Sequence, residues 1–232
     1  MARWFHRCAL VAGLAVLTPA SVMAQPLRPV VGFQVGMNLA KVKYSAPDLV
    51  QSSDVRNNFL VGFVAGGTIA FPLDADGNFA LQSGLFIQAK GGDTKLIHFA
   101  VDEEGNSSTY EGTWKLTYVT IPVLAKASFG TGDARPYLMA GPELDILLSA
   151  KREDWWDWQV SSQAEKDIKN DMHPYDFGIT LGAGVEWLLG ETTAYAELAY
   201  THGLLDVLRV EDAVYNVELK NQTIALSVGL KI

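Results

Sequence analysis

The stretch from Asp176 to His202 reads DFGITLGAGVEWLLGETTAYAELAYTH. In its first half Phe177, Ile179, Leu181, Ala183, Val185 and Trp187 alternate with Asp176, Gly178, Thr180, Gly182, Gly184 and Glu186. A period of two sends successive side chains to opposite faces of a strand, so one face is apolar and the other small or charged. After Leu189, Gly190, Glu191 and Thr192 the alternation resumes, with Ala194, Ala196, Leu198 and Tyr200 against Tyr195, Glu197, Ala199 and Thr201. Each arm has the roughly 9–11 residues with which a tilted strand crosses a bilayer. The hairpin fits two architectures. In a soluble barrel or sandwich its apolar face is core, whereas in a transmembrane barrel that face meets lipid and the polar face lines the lumen.

The same pattern recurs on both sides. Strands are predicted over Val30–Lys41, Asn58–Phe71, Phe79–Lys90, Thr113–Phe129, Arg135–Ser149 and Leu219–Ile232, which with the hairpin makes eight. Within Thr113–Phe129, Val119, Ile121, Val123, Ala125 and Phe129 share one parity while Trp114, Leu116 and Tyr118 take the other. Pro122 has no N–H to give a ladder, so a bulge beside it is the expected cause of that slip. Pro72, Asp74, Asp76, Gly77 and Asn78 mark one tight turn, and Gly130, Thr131, Gly132 and Asp133 another. Polar connections run over 42–57, 91–112, 150–174 and 203–218, the third with a helical turn or two expected near Ala164 to Lys169.

Connections therefore alternate long and short along the chain. Transmembrane barrels sort them this way, with short periplasmic turns at one rim and long extracellular loops at the other. The expected fold is all-β: an eight-stranded antiparallel up-and-down transmembrane β-barrel. A secreted or periplasmic lipocalin-like barrel binding a small apolar ligand is the alternative.

The N-terminus fits export. Arg3 and Arg7 precede an apolar run from Cys8 to Leu17 and the small-residue pattern Val22, Met23, Ala24, so a signal peptide over 1–24 and a single barrel domain over 25–232 are expected. Cys8 is the chain's one cysteine, which leaves the mature part without a disulfide, thiol nucleophile or cysteine-based zinc site. Without Arg3 and Arg7 the 18 basic residues fall to 16 against 26 acidic ones, a net charge of about −10. Such a surface is a poor partner for nucleic acid.

Short motifs then carry a family resemblance. Gly36, Met37, Asn38, Leu39; Leu116, Tyr118, Val119, Ile121, Pro122; Tyr137, Leu138, Ala140, Gly141, Pro142; and Gly178, Gly182, Gly184, Glu186 together resemble the small outer-membrane β-barrel family of the PorT-like type. The resemblance spans nearly all of the mature chain and departs at Ile232, where many such barrels end on an aromatic residue. It implies the outer membrane of a Gram-negative bacterium, contact with outer-membrane lipids, lipopolysaccharide and the outer-membrane assembly machinery, and no shared catalytic residues. A surface or envelope protein partner is left unnamed.

Inside such a barrel the facing positions include Lys90, Lys126, Glu143, Asp145, Glu186, Glu197 and Lys231. Eight strands leave an interior just wide enough for side chains to fill it, and buried charges must pair, so the expected arrangement is a salt-bridged plug. The alternative is a narrow gated or proton-conducting path lined by the same acids. Trp155, Trp156 and Trp158 read as an aromatic belt at headgroup level or as a recognition loop. Asp102, Glu103, Glu104 and Glu153, Asp154, Asp157 carry oxygen ligands but no ordered calcium-loop spacing, so solvated charge is expected, and no cofactor motif is present. His98, His173 and His202 with Ser149 or Ser107 are the residues a lipid A-modifying enzyme would draw on, but no motif links them, and the chain is read as non-enzymatic, with a structural, surface-recognition or assembly-component role.

Overall fold

The computed structural model describes residues 28–45, 55–101, 107–156, 165–209 and 218–232. The strands are β1 (Val30–Ser45), β2 (Val55–Asn58), β3 (Leu60–Pro72), β4 (Phe79–Val101), β5 (Ser107–Ser128), β6 (Ala134–Trp156), β7 (Lys166–Asp167), β8 (Tyr175–Leu189), β9 (Thr192–Gly203) and β10 (Glu218–Lys231). Every long strand pairs antiparallel with its neighbours in sequence. The β1–β10 ladder, from Gly32 opposite Lys231 to Ser45 opposite Glu218, closes the sheet. β2 and β3 lie along one stave and β7 is a short addition to β6, so the barrel has eight staves. Closure leaves neither the first nor the last strand with a free edge, the condition under which strands can span hydrocarbon.

The two faces have inverted polarity relative to a soluble barrel. Met37 is 64% exposed, Leu85 60% and Leu226 63%, within an outward band that also holds Phe33, Phe63, Leu181 and Leu198. Gln34, Gln88, Thr120, Glu143, Thr180 and Thr223 point inward and are buried. A lipocalin-like interior would be lined the other way. The short connections Leu73–Asn78, Phe129–Asp133 and Gly190–Glu191 gather at the rim that also holds Ile232, which bonds to Val31 through both backbone groups. In the first of these turns the Asp74 carboxylate accepts the backbone N–H groups of Asn78 and Phe79, and Gly77 takes φ +65°, a conformation glycine adopts without a Cβ clash.

The structure corrects two expectations. The slip at Pro122 does not occur: β5 holds one parity from Gly112 to Ser128, and the β5–β6 register is the same on both sides of Pro122. What changes is the lining. Trp114, Leu116 and Tyr118 are as inward as Thr120 and Lys126, because the barrel interior turns apolar toward the long-loop end. The register shift lies instead on β6, between the pairs Thr117–Ser149 and Tyr118–Leu147. Nor is 91–112 a loop. β4 and β5 continue as a paired hairpin to Val101 and Ser107, and β6 runs beside them to Trp156. The polar composition that suggested a loop belongs to a sheet standing in water, whose outward face bears the pairs Lys95–Glu111 and Lys115–Glu153.

Two glycines let tyrosines lie flat on the inner wall. A Cβ on Gly184 would overlap the Tyr137 ring and the Ala196 carbonyl, and one on Gly229 would overlap Tyr195 and the Phe33 carbonyl. The wild-type protein is expected to migrate faster on a detergent gel before boiling than after. Gly184→Val is expected to lower its unfolding free energy in urea by about 1–3 kcal/mol, the range for overpacking a filled interior, and its midpoint with it. An unchanged midpoint would show that Tyr137 moves aside freely.

Candidate functional site: a filled lumen

The strands that show strict alternation place their polar residues in two layers across the lumen. In the layer nearer the long loops, Lys90 from β4 donates to Glu143 Oε1 at 2.9 Å and to Asp145 Oδ2 at 2.6 Å, both on β6. The remaining oxygens are taken as well. Thr120 donates to Asp145 Oδ1, Thr180 to Glu143 Oε2 at 2.9 Å, and Thr201 to the same oxygen at 3.4 Å. Two carboxylates thus share one ammonium and three hydroxyls, which compensates charge that would otherwise be costly to bury.

The layer nearer the short turns is built around Glu186 on β8. Its Oε1 accepts from Lys126 and, at 2.8 Å, from Lys231. Lys231 also donates to Gln82 Oε1 at 3.0 Å. Each lysine lies over an aromatic face, Lys126 at 4.1 Å from the Tyr137 centroid and Lys231 at 4.7 Å from that of Tyr195, so the ammonium groups meet ring quadrupoles as well as the carboxylate. Glu197 stands beside this layer, accepting from Tyr137 Oη at 2.9 Å and Gln34 Nε2 at 3.3 Å. Between the layers Gln34, Gln88, Thr120, Glu143, Glu197 and Thr201 border a cavity of about 50 Å³. That is room for a few waters.

All seven lumen residues read from the sequence are therefore buried, divided between two layers: Lys90, Glu143 and Asp145 in one; Lys126, Glu186 and Lys231 with the adjacent Glu197 in the other. The uncharged members of the network, Gln34, Gln82, Thr120, Thr180, Tyr137 and Tyr195, were not singled out, although each shares the inward parity of its strand. Asp176, which accepts from Asn221 at 2.8 Å, is a further buried acid on the polar face of the hairpin.

Beyond these layers the lumen ends in an apolar cap. Val42, Trp114, Leu116, Tyr118, Leu147 and Leu219 from the staves pack with Ile168, Met172 and Val207 from the connections. A 3-10 turn at Lys169–Asp171 and an isolated bridge between Met172 and Leu208 seat those connections. On the outside of the same level, Lys151 donates to Glu165 at 2.6 Å. This hydrogen bond raises the Lys151 ammonium and lowers the Glu165 carboxyl relative to their ordinary values.

The other candidate residues are dispersed. Trp155 and Trp156 belong to the end of β6, their backbones opposite Glu111 and Tyr110, past the exposed pair-forming Lys151 and Glu153. Leu148 is the last exposed large apolar residue of β6 up to Asp154. Trp158 lies outside the described residues, as do Asp102, Glu103, Glu104 and Asp157. Glu153 bonds Lys115 and Asp154 bonds Arg152, and no group of acids or histidines among the described residues could hold a metal ion. His202 Nδ1 is 3.3 Å from Tyr200 Oη and 3.1 Å from Gln222 Nε2 on the outer wall, whereas His173 sits exposed at the loop end with its backbone N–H on Val207. His98 lies on β4 and Ser107 on β5.

Lys90→Met is expected to cost about 3–5 kcal/mol of unfolding free energy, because two carboxylates lose their cation. Adding Glu143→Gln and Asp145→Asn is expected to restore most of it. Equal loss in the single and triple variants, read by urea unfolding in micelles, would refute the charge argument. Replacing Trp155 and Trp156 by alanine is expected to leave the unfolding midpoint unchanged; a loss above about 1 kcal/mol per ring would return them to an interfacial role.

Similar solved structures include Neisserial surface protein A, at 16% identity over 87% of this chain and 96% of that one with a TM-score of 0.42. The attachment invasion locus protein Ail of Yersinia pestis, solved with the heparin analogue sucrose octasulfate, is 12% identical over 88% and 99%, TM-score 0.39. The outer membrane protease OmpT of Escherichia coli is 9% identical over 89% and 96%, TM-score 0.40. One is an attachment protein and another a protease, so the likeness brings no activity with it. No curated protein sequence matches the chain. The family model for the outer membrane protein beta-barrel domain matches residues 23–209, and the chain belongs to that family.

Proposed function

We infer that the protein is a non-enzymatic component of a Gram-negative outer membrane, closed to ion flow, serving envelope structure or recognition at the cell surface. The observation that carries this reading is the pairing of the lumen charges. The charges of both layers are held by opposite charges or hydroxyls, and the apolar cap blocks the loop end. An eight-stave barrel filled in this way has no continuous water column. The part free to meet other molecules is the protruding sheet of β4, β5 and β6. At 23, 22 and 23 residues these strands are roughly twice the 9–11 needed to span a bilayer, and their outer face carries ion pairs in place of apolar residues. Trp155 and Trp156 at its end, with Trp158 beyond, are the recognition candidates, since tryptophan is enriched among residues that dominate binding.

In a planar lipid bilayer with concentrated potassium chloride on both sides, the purified barrel is expected to give no current steps. Steady open-channel steps, abolished by boiling the sample, would overturn the closed-lumen reading.

A further inference from the structure

Among the interruptions of the backbone ladder in the described residues, the one between β3 and β4 lies at the upper limit of the apolar band. β3 pairs with β4 only as far as Val64 opposite Gln88, and β2 resumes at Asn58 opposite Asp93, so 59–63 and 89–92 have no ladder between them. The register slips by one residue across this gap. Two local features accompany it. Asn38, from β1, passes over Gly62 and donates to the Ala89 carbonyl at 2.8 Å, supplying a bond the ladder lacks, and a Cβ on Gly62 would collide with that amide. Gly91 takes φ +124°, and its missing Cβ leaves room for the Trp114 carbonyl.

The break opens into a pocket of about 240 Å³ lined mainly by Ala40, Leu60, Val61, Ala89 and Leu116, with inward-facing Lys90 behind them. Both nearby lysines are engaged, Lys90 by Glu143 and Asp145, and Lys115 at the other edge by Glu153 and Glu165. The pocket therefore favours an uncharged apolar group. It is smaller than the roughly 300–1,000 Å³ of sites that enclose whole ligands, which suits one chain end. Val61 in its lining is 61% exposed and shares the outward face of the wall with Ile87, 48% exposed.

Toward the long-loop end from the pocket lining, β1 and β2 carry a group of cations. Lys41 lies 5.1 Å from the ring centroid of Phe59, at the break itself. Lys43 faces Lys220 in the β1–β10 register, and Arg56 faces Lys95 in the β2–β4 register. Like charges directly opposite each other disfavour a sheet unless something offsets them. Lys95 is held by Glu111, and Lys220 has a partner of its own. Among the described residues no carboxylate lies within ion-pair distance of Lys41, Lys43 or Arg56, including Asp93 opposite Asn58. Lys43 and Arg56 are exposed.

We propose that this wall break is a binding site for a single phosphate-bearing membrane lipid, one acyl chain seated between β3 and β4 and the phosphate held by Lys41, Lys43 and Arg56. The site rests on the membrane reading of the barrel, and gel migration with and without boiling checks that reading separately. Native mass spectrometry of the full chain in uncharged detergent, with dioleoyl phosphatidylglycerol added, reads the proposal. One lipid is expected to remain bound, and replacing all three cations by Met is expected to lower retention roughly tenfold or more. Ala89→Trp, or Val61→Trp should the first variant lose its heat shift, is expected to do the same by filling the pocket. Dioleoyl glycerol, which has the chains without the phosphate, is expected to be lost. Equal retention by wild type and variants overturns the site. Loss in the cation variant alone, or full displacement by inorganic phosphate, overturns the seated chain.

Discussion

Eight staves leave a lumen only as wide as its side chains, and this width sets the terms for everything inside it. Each inward charge has to find its counter-charge within a side chain's length, across a space where water is scarce. Lys90 between Glu143 and Asp145, and Glu186 between Lys126 and Lys231, meet that demand from strands on different sides of the barrel. The ionic layers are therefore ties as well as fillings: β4 is bound to β6, and β5 and β10 to β8, independently of any backbone ladder. Removing one member leaves its partners stranded, while removing a whole set together is far milder.

Much of this was legible in the sequence because lipid and a narrow lumen impose opposite chemistry on the two faces of a strand. β8, β9 and β10 could be phased residue by residue, and the lumen charges followed from the phase. The readings failed where the environment changed along a strand while its geometry did not. Trp114, Leu116 and Tyr118 looked out of step only because apolar residues had been assigned to lipid; past the membrane the interior is the apolar side. The same assumption hid the outer halves of β4 and β5, whose charged faces resembled loop. The gap between 59–63 and 89–92 left no periodic mark, since it depends on which neighbour each strand keeps. Gly62 and Gly91 were its local traces.

The three longest strands make the molecule lopsided. Along β4, β5 and β6 the sheet continues outward with salt-bridged exterior and apolar interior, and connections from the other side fold over to cover it with Ile168, Met172 and Val207. Structure above the bilayer thus shares one packed core with the top of the lumen, so the cap is held by the same residues that shape the surface presented to the outside. A change in that surface need not open the lumen beneath it, because the ionic layers lie deeper and are satisfied on their own.

The seam between β1 and β10 has a consequence for how the molecule comes into being. Gly32 is paired with Lys231, so the ladder that completes the cylinder joins partners from opposite ends of the sequence. Contacts of such long separation form slowly. Until β10 arrives, β1 and β9 each present an unpaired edge, the kind of surface on which chains add to one another. The nascent chain therefore needs its edges shielded from other chains until its last strand is in place.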